Sequence, residues 1–207
     1  EPNAAHRAVA ALARTGVPVR VIAQNVDGLH AEAGRAAGMA EDRLIELHGD
    51  LARVACLNCG ATESRRDLDL RLEAANPGYL ERVAIDPDAV NPDGDVSLDQ
   101  HWVDEFTMVG CRVCGSVKLK PDVVYFGESV PAARRAAAEA MADDGGTVLA
   151  VGTSLAVMSG YRFVLRAERA GHATGLINLG PTRADPKARW RWRAPVADAL
   201  AWLDARL

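Results

Sequence analysis

The apolar positions of this chain change period several times, and the changes mark alternating helices and strands. Residues 1–15 carry Ala and Leu at helical spacing, opened by Pro2-Asn3 and closed by Gly16. Residues 17–23 form a nearly continuous, β-branched apolar run, which suits a parallel strand covered on both faces. Residues 31–39 read as a short helix and turn, and an apolar segment at 44–47 leads into His48. After a polar, turn-rich stretch the alternation resumes. It predicts a strand at 117–125, an Ala-rich helix at 131–142 with Pro at its start, and a strand at 147–151. A helix at 162–170, a strand at 176–178 and a closing amphipathic helix at 195–207, with Leu200 and Leu203 facing inward, complete the chain. Strands that alternate with helices predict an α/β architecture with a doubly wound parallel sheet.

The stretch from Ala61 to Gly110 interrupts that alternation. Asn76-Pro77-Gly78, Asp86-Pro87 and Asn91-Pro92-Asp93-Gly94-Asp95 mark loops, residues 65–75 suit a helix, and Trp102, Val103 and Phe106 are its expected small core. Two Cys-x-x-Cys pairs bracket it, Cys56 with Cys59 and Cys111 with Cys114, each followed by a glycine. Four thiolates make a closed tetrahedral zinc site with no open position, so the metal they predict is structural. The gap between the pairs exceeds that of an ordinary zinc ribbon, so the intervening residues form an inserted lobe. Disulfides or a redox-active pair are the alternatives.

Chemistry-bearing residues gather where the strands end. The strand at 17–23 delivers Gln24, Asn25 and Asp27 into a loop, and His48 follows the next apolar segment. Loops after buried parallel strands are where α/β proteins hold ligands. Each residue also has a plainer reading. Gln24 and Asn25 suit a turn, Asp27-Gly28 is a turn dipeptide, and a lone His is more often structural than catalytic. Gly152-Thr153-Ser154, at the end of another strand, offers free amides and hydroxyls for a phosphate or ribose.

Composition narrows the function classes. The chain has 207 residues, 49% hydrophobic and 25% charged, enough for one domain and a small satellite of a soluble globular protein. A formal net charge of -4 argues against a broad nucleic-acid face, and Trp190, Trp192 and Trp202 read as packing residues. No apolar run approaches the roughly 20 residues of a membrane span, and no signal-peptide pattern opens the sequence. Paired cysteines without a secretory signal suit a reducing compartment, so a cytoplasmic location is expected. A mitochondrial one would need an upstream targeting segment.

Asn25-x-Asp27-x-Leu29-His30, then Leu47-His48-Gly49, the two Cys pairs, the segment from Lys120 to Glu128 (Lys-Pro-Asp-Val-Val-Tyr-Phe-Gly-Glu) and Gly152-Thr153-Ser154-Leu155 together resemble the sirtuins, NAD-dependent protein-lysine deacylases. The order matches over almost the whole chain. The resemblance implies a Rossmann-type NAD-binding domain formed by residues 1–52 and 118–207, with an inserted zinc-binding domain at 53–117. It implies nicotinamide held by Asn25 and Asp27 beside Gln24, and His48 as general base on a ribose hydroxyl. An imidazole titrates near about pH 6.5 in water, which suits that work at neutral pH. The acyl-lysine oxygen attacks the ribose carbon as nicotinamide leaves, giving an alkylimidate, and the acyl group ends on ADP-ribose. Gly152, Thr153 and Ser154 would line the phosphate and ribose, with Asn178, Gly180 and Val196 on the adenosine side. Val123, Val124, Phe126, Gly127 and Glu128 would pair with the acyl-lysine peptide by strand addition and wall its tunnel. From spacing alone an ordinary buried strand ending at Gly127 is as good a reading.

Asn76-Pro77, the Pro92 to Val96 segment, Phe106, the Ser159 to Phe163 segment and the Asn178 to Arg183 segment are similar to class II sirtuins. Those are the bacterial relatives of the animal mitochondrial sirtuin with lipoamidase, deacylase and ADP-ribosyltransferase activities. Pro2-Asn3-x-x-His6 resembles the segment before the second half of the family's nucleotide-binding domain. The family's upstream strand and Gly-Ala-Gly phosphate loop have no counterpart here, so an N-terminal part of that domain is expected to be missing from this sequence. A non-catalytic zinc-ribbon interaction module and a protein ADP-ribosyltransferase are the rival functions. The preferred acyl group, the protein targets and the oligomeric state are not legible in the sequence.

Overall fold

The structure is a computed structural model that describes residues 1–12, 17–83, 96 and 98–206. The described chain divides into two compact units, one of Glu1–Asp50 with Val123–Leu207 and one of Leu51–Asp122. The expected end of the first helix at 13–16 and the turns at 86–87 and 91–95 lie outside the described residues.

The first unit carries parallel strands. β1 (Val21–Ala23) pairs in parallel with β2 (Leu44–Glu46), and β6 (Val148–Val151), β7 (Thr174–Ile177) and β8 (Trp190–Trp192) form a second parallel sheet in that order. β1 is shorter than the apolar run that announces it. Pro18 has no N–H to give a ladder, Val17 is exposed, and Arg20 reaches out to the Asp144 carbonyl at 3.1 Å. β8 has no counterpart in the hydrophobic pattern, because its three residues are all exposed and show no buried-strand alternation. Trp190 lies against Gly175 of β7, and Trp192 meets Trp202 edge to face with ring centroids 5.4 Å apart.

Helices cover these strands. α1 (Ala4–Leu12) starts at Asn3, whose Oδ1 accepts from the amides of Ala5 (2.9 Å) and His6 (3.2 Å), satisfying two free donors of the first turn. α1 packs on α8 (Val196–Asp204), where Ala8, Leu12, Ile177, Ala199 and Leu200 form a buried cluster with Val196 and Leu203 at its edge. α2 (Leu29–Ala36) follows the β1 loop. A second cluster joins Leu155, Tyr161, Val164, Leu176 and Ala184. α6 (Ala132–Asp143), capped by Pro131, and α7 (Met158–Arg169) are tied together by Arg162 and Arg166 on Glu139, and by Arg166 on Asp143. The Arg166 guanidinium hydrogen-bonded to Asp143 holds that carboxyl below the usual carboxylate range. α7 begins four residues before the expected 162. Gly160, which looks like a helix breaker, sits inside it because the backbone must pass close to Gln24.

The second unit is built on an antiparallel pair, β3 (Gly49–Cys56) and β4 (Thr62–Ser64), with β5 (Leu119–Val123) on the other side of β3. β5 is shorter than the expected 117–125. Its Pro121 fits an edge position, where a missing N–H costs nothing. α3 (Arg65–Ala75) has the expected bounds and is capped by Ser64, whose Oγ accepts from the Asp67 amide. α4 (Tyr79–Val83) and α5 (Gln100–Glu105) follow. The expected small core is corrected at Val103, which is 53% exposed. Tyr79 is the buried centre instead. It stacks edge to face on Phe106 and Trp102, and its hydroxyl donates to the Trp102 carbonyl at 2.6 Å. Asn76, read as a turn residue, is buried. It donates to the Leu72 and Thr107 carbonyls and accepts from the Thr107 amide. A buried amide so satisfied fixes the two segments it bridges.

Candidate active site and zinc site

In the first unit the carboxyl ends of β1, β2 and β6 converge, and hydrogen bonds lock their loops together. His48, two residues past β2, is half-buried. Its Nδ1 lies 2.9 Å from the Gln24 main-chain carbonyl, and its Nε2 lies 2.8 Å from Ser159 Oγ on α7. A carbonyl can only accept, so Nδ1 carries the hydrogen and Nε2 is the basic nitrogen. The Gln24 side chain accepts from Thr153 Oγ1 at 2.9 Å, which joins the β1 loop to the β6 loop. Thr153 Oγ1 also accepts from the Leu155 amide at 3.1 Å. That bond helps hold Leu155 in a left-handed conformation (φ 53°), which a buried leucine rarely adopts.

Asn25 and Asp27 are exposed on the same loop. Asn25 Nδ2 donates to one Asp27 carboxylate oxygen (3.1 Å), and the Leu29 amide at the head of α2 donates to the other (3.1 Å). The loop therefore presents an amide and a carboxylate in fixed register, a complementary pair for another amide. Gly152 has φ 62°, and a Cβ there would meet Val196 Cγ2 at 3.3 Å, so both backbone and space call for glycine. That contact places Val196 directly beside the β6 loop. Ser154 Oγ accepts from the Ala156 amide at 3.4 Å. Asn178 follows β7 and donates to the Gly180 carbonyl at 3.0 Å. Asp185, nearby, is held ionised by a hydrogen bond from Thr182, with Arg191 and Arg193 adding to the effect.

Past β5 the backbone turns instead of extending. The Val124 amide donates to the His48 carbonyl at 2.8 Å. The Glu128 amide donates to the Tyr125 carbonyl, and the Glu128 carboxylate accepts from the Tyr125 amide, both at 3.0 Å, around a left-handed Gly127. Val123 is buried at the strand end, and Phe126 is fully exposed. The reading of this stretch as an ordinary buried strand does not hold beyond Val123.

In the second unit Cys56, Cys59, Cys111 and Cys114 come together with their sulfurs all within 4.8 Å of one another. The closest pairs join one knuckle to the other, Cys56 to Cys114 at 3.6 Å and Cys59 to Cys111 at 3.7 Å. Thiolates around one tetrahedral zinc lie about 3.8 Å apart, whereas a disulfide needs about 2 Å. The four sulfurs are positioned to bind one zinc ion. Amides point at them, as a thiolate cluster requires: Val113 N lies 3.4 Å from Cys111 Sγ, and Asn58 Nδ2 lies 3.5 Å from Cys114 Sγ. The backbone of Ser116 and the Asn58 amide bring the Cys114 thiol down to about 6. The amides of Cys114 and Val113 lower Cys111 as well. At Cys59 the Ala61 amide pulls the same way, but thiol hydrogen bonds led by Cys114 outweigh it and push the group up to about 12. Four sulfurs this close hold on to a proton unless a cation replaces it.

Ser159 is the residue of this site that sequence reasoning missed. Its segment served there only as a subclass marker, and nothing in the spacing of 48 and 159 puts the two side chains in contact.

A parallel α/β unit with polar loops at its strand ends, joined to a four-cysteine unit, defines a class of nucleotide-binding protein with a structural zinc site. The Sir2 family model matches residues 1–159, and the chain belongs to the Sir2 family. It is 51% identical over 200 residues to the NAD-dependent protein deacetylase 1 of Corynebacterium efficiens, with 97% of this chain and 69% of that protein covered. It is 45% identical over 206 residues to the protein of the same name from Streptomyces coelicolor, covering 100% of this chain and 65% of that one. The chain thus spans about two thirds of these relatives' length. A solved structure of Sir2 with a p53 peptide and NAD+ superimposes with a TM-score of 0.69 at 25% identity, over 98% of this chain and 69% of the other.

Proposed function

We propose that this chain forms the catalytic core of an NAD-dependent protein-lysine deacylase. The observation that carries the reading is His48, whose Nδ1 is bound to the Gln24 carbonyl, leaving Nε2 basic beside loops that carry Asn25, Asp27 and Thr153. Relatives named NAD-dependent protein deacetylases, and a Sir2 structure with peptide and NAD+, support the choice of ligands.

When bound, NAD supplies an electrophilic ribose carbon that takes the acyl oxygen of the substrate as nicotinamide leaves. Asn25 and Asp27 offer a donor and an acceptor to the nicotinamide carboxamide. Gly152, Thr153 and Ser154 contribute the amides and hydroxyls for ribose and phosphate, and Asn178, Gly180 and Val196 the adenosine side. With NAD bound, His48 Nε2 would accept the proton of a ribose hydroxyl, so that its oxygen could take the acyl group as the lysine amine leaves. Val124, Gly127 and Glu128 offer main chain to an extended acyl-lysine peptide. The fully exposed Phe126 is apolar surface that such a peptide would cover. The Ser159 to Phe163 and Asn178 to Arg183 segments further support a place among class II sirtuins.

The test is nicotinamide release from NAD by the intact protein, with lysine peptides bearing acyl groups from acetyl to long and branched acids. Release that depends on one peptide class is expected. In His48→Ala multiple-turnover release should fall by about 10²-fold or more, the usual contribution of a general base, because the cycle stalls once nicotinamide has left; the circular dichroism spectrum should be unchanged. Peptide-independent release, or full activity in His48→Ala, would overturn the proposal.

A further inference from the structure

His48 is held from two sides, by partners 24 and 111 residues away in the chain. The second is Ser159 Oγ, 2.8 Å from Nε2. In the neutral ring the hydrogen sits on Nδ1, which gives it to the Gln24 carbonyl, so Nε2 has a lone pair and the Ser159 hydroxyl donates to it. Ser159 is the second residue of the 12-residue helix α7, which has no side-chain cap, so its first-turn amides leave the positive end of the helix dipole beside the ring. The ring's two hydrogen bonds go to uncharged groups. Nothing else in the local design of α7 asks for serine at this position, because the serine side chain is not used to cap the helix.

We propose that Ser159 is a positioning residue for the base. Its hydroxyl holds the lone pair of His48 Nε2 aimed at the ligand side, and it stands in for the ribose hydroxyl until that hydroxyl replaces it. A ring nitrogen offers one lone pair, so the exchange is one for one: the Ser159 hydrogen leaves Nε2 as the substrate O–H arrives, and the substrate proton then passes to Nε2. This rests on the deacylase reading for the identity of the incoming hydroxyl, but not for the state of the ring.

The experiment is long-range 1H–15N NMR of 15N-histidine-labelled protein at a pH well above the histidine range, with His48 assigned from a His48→Gln spectrum. It is paired with kcat for formation of deacylated peptide, the product that forms after the base has acted. Wild type should show the Nδ1–H tautomer, with the Nε2 resonance shifted upfield by the hydrogen bond to its lone pair. Ser159→Ala should move that resonance downfield, as expected for losing the donor, and lower kcat by about 5-fold, the worth of one hydrogen bond. Ser159→Thr, which keeps the hydroxyl, should restore both. An unchanged Nε2 resonance in Ser159→Ala would overturn the proposal, and so would failure of the threonine to restore it. If no peptide is deacylated, the deacylase reading fails while the NMR spectrum still decides the role of Ser159.

Discussion

Gln24 shows how much one residue can carry. Its carbonyl orients His48, its side chain holds Thr153, and its terminal amide lies over Gly160. A Cβ at Gly160 would stand 2.6 Å from Gln24 Nε2, closer than van der Waals contact permits. Gly160→Ala should therefore displace the Gln24 side chain from Thr153 and loosen the junction of the two loops. The cost is that of the displaced hydrogen bond, about 0.5–1.5 kcal/mol. A raised KM for NAD and a lowered melting temperature are expected, measured by kinetics and thermal unfolding. Wild-type values for both would show that Gln24 yields at no cost. The same residue illustrates what the sequence could say. Gln24 and His48 are legible as polar residues delivered by apolar segments, whereas Ser159 and Gly160 carry only a subclass resemblance and lie before the helix expected at 162.

At the scale of elements, α1 and α2 meet through two histidines. His6 is buried with Nδ1 2.8 Å from Asn3 Oδ1, and its ring lies 4.6 Å from that of His30. Burial is the main reason the His30 pKa is lowered. The His6 ring adds to the shift, and Asp27 opposes it. The unfolded chain therefore binds a proton at His30 before the folded chain does. Stability should be complete above about pH 6.5, the unfolded value, and should decline as the pH falls from there to the lowered folded value. Thermal unfolding across pH 5 to 8 checks this, and His30→Gln should flatten the curve in that window. An equally steep curve in the variant would place the titration elsewhere. Element boundaries were least legible where a local signal competes with tertiary contact. Pro18 cuts β1 short, Gly160 hides the start of α7, and the exposed tryptophans of β8 gave no buried-strand pattern.

At the scale of the whole molecule, the four-cysteine unit is built around its metal ligands. Cys56 closes β3, and Cys111 and Cys114 lie between α5 and β5, so the zinc site joins segments far apart in the chain. Metal analysis should find about one zinc per chain, as closed four-thiolate ligation requires. Cys56→Ser should lose most of that zinc and unfold the Leu51–Asp122 unit at lower temperature, because binding energy at such a site is folding energy. Chelator treatment of the wild type should give the same melting curve. A variant that kept both zinc and melting temperature would refute the four-cysteine assignment. No helix among the described residues is long and apolar enough to cross a membrane.

By itself the sequence determined what is carried by short-range patterns: the alternation of strands and helices, the Cys-x-x-Cys spacing, and the loops in which Asn25, Asp27, His48 and Thr153 reside. Period and turn chemistry are properties of adjacent residues, so they survive without a fold. The tertiary structure decided what depends on residues distant in the chain. It selected four-sulfur grouping over disulfide pairing, exchanged Val103 for Tyr79 as the core of the cysteine unit, and set Ser159 against a histidine 111 residues away. Such contacts have no local pattern to announce them. They arise when packing brings the ends of β1, β2 and β6 to the head of α7, and that meeting gives His48 its tautomer.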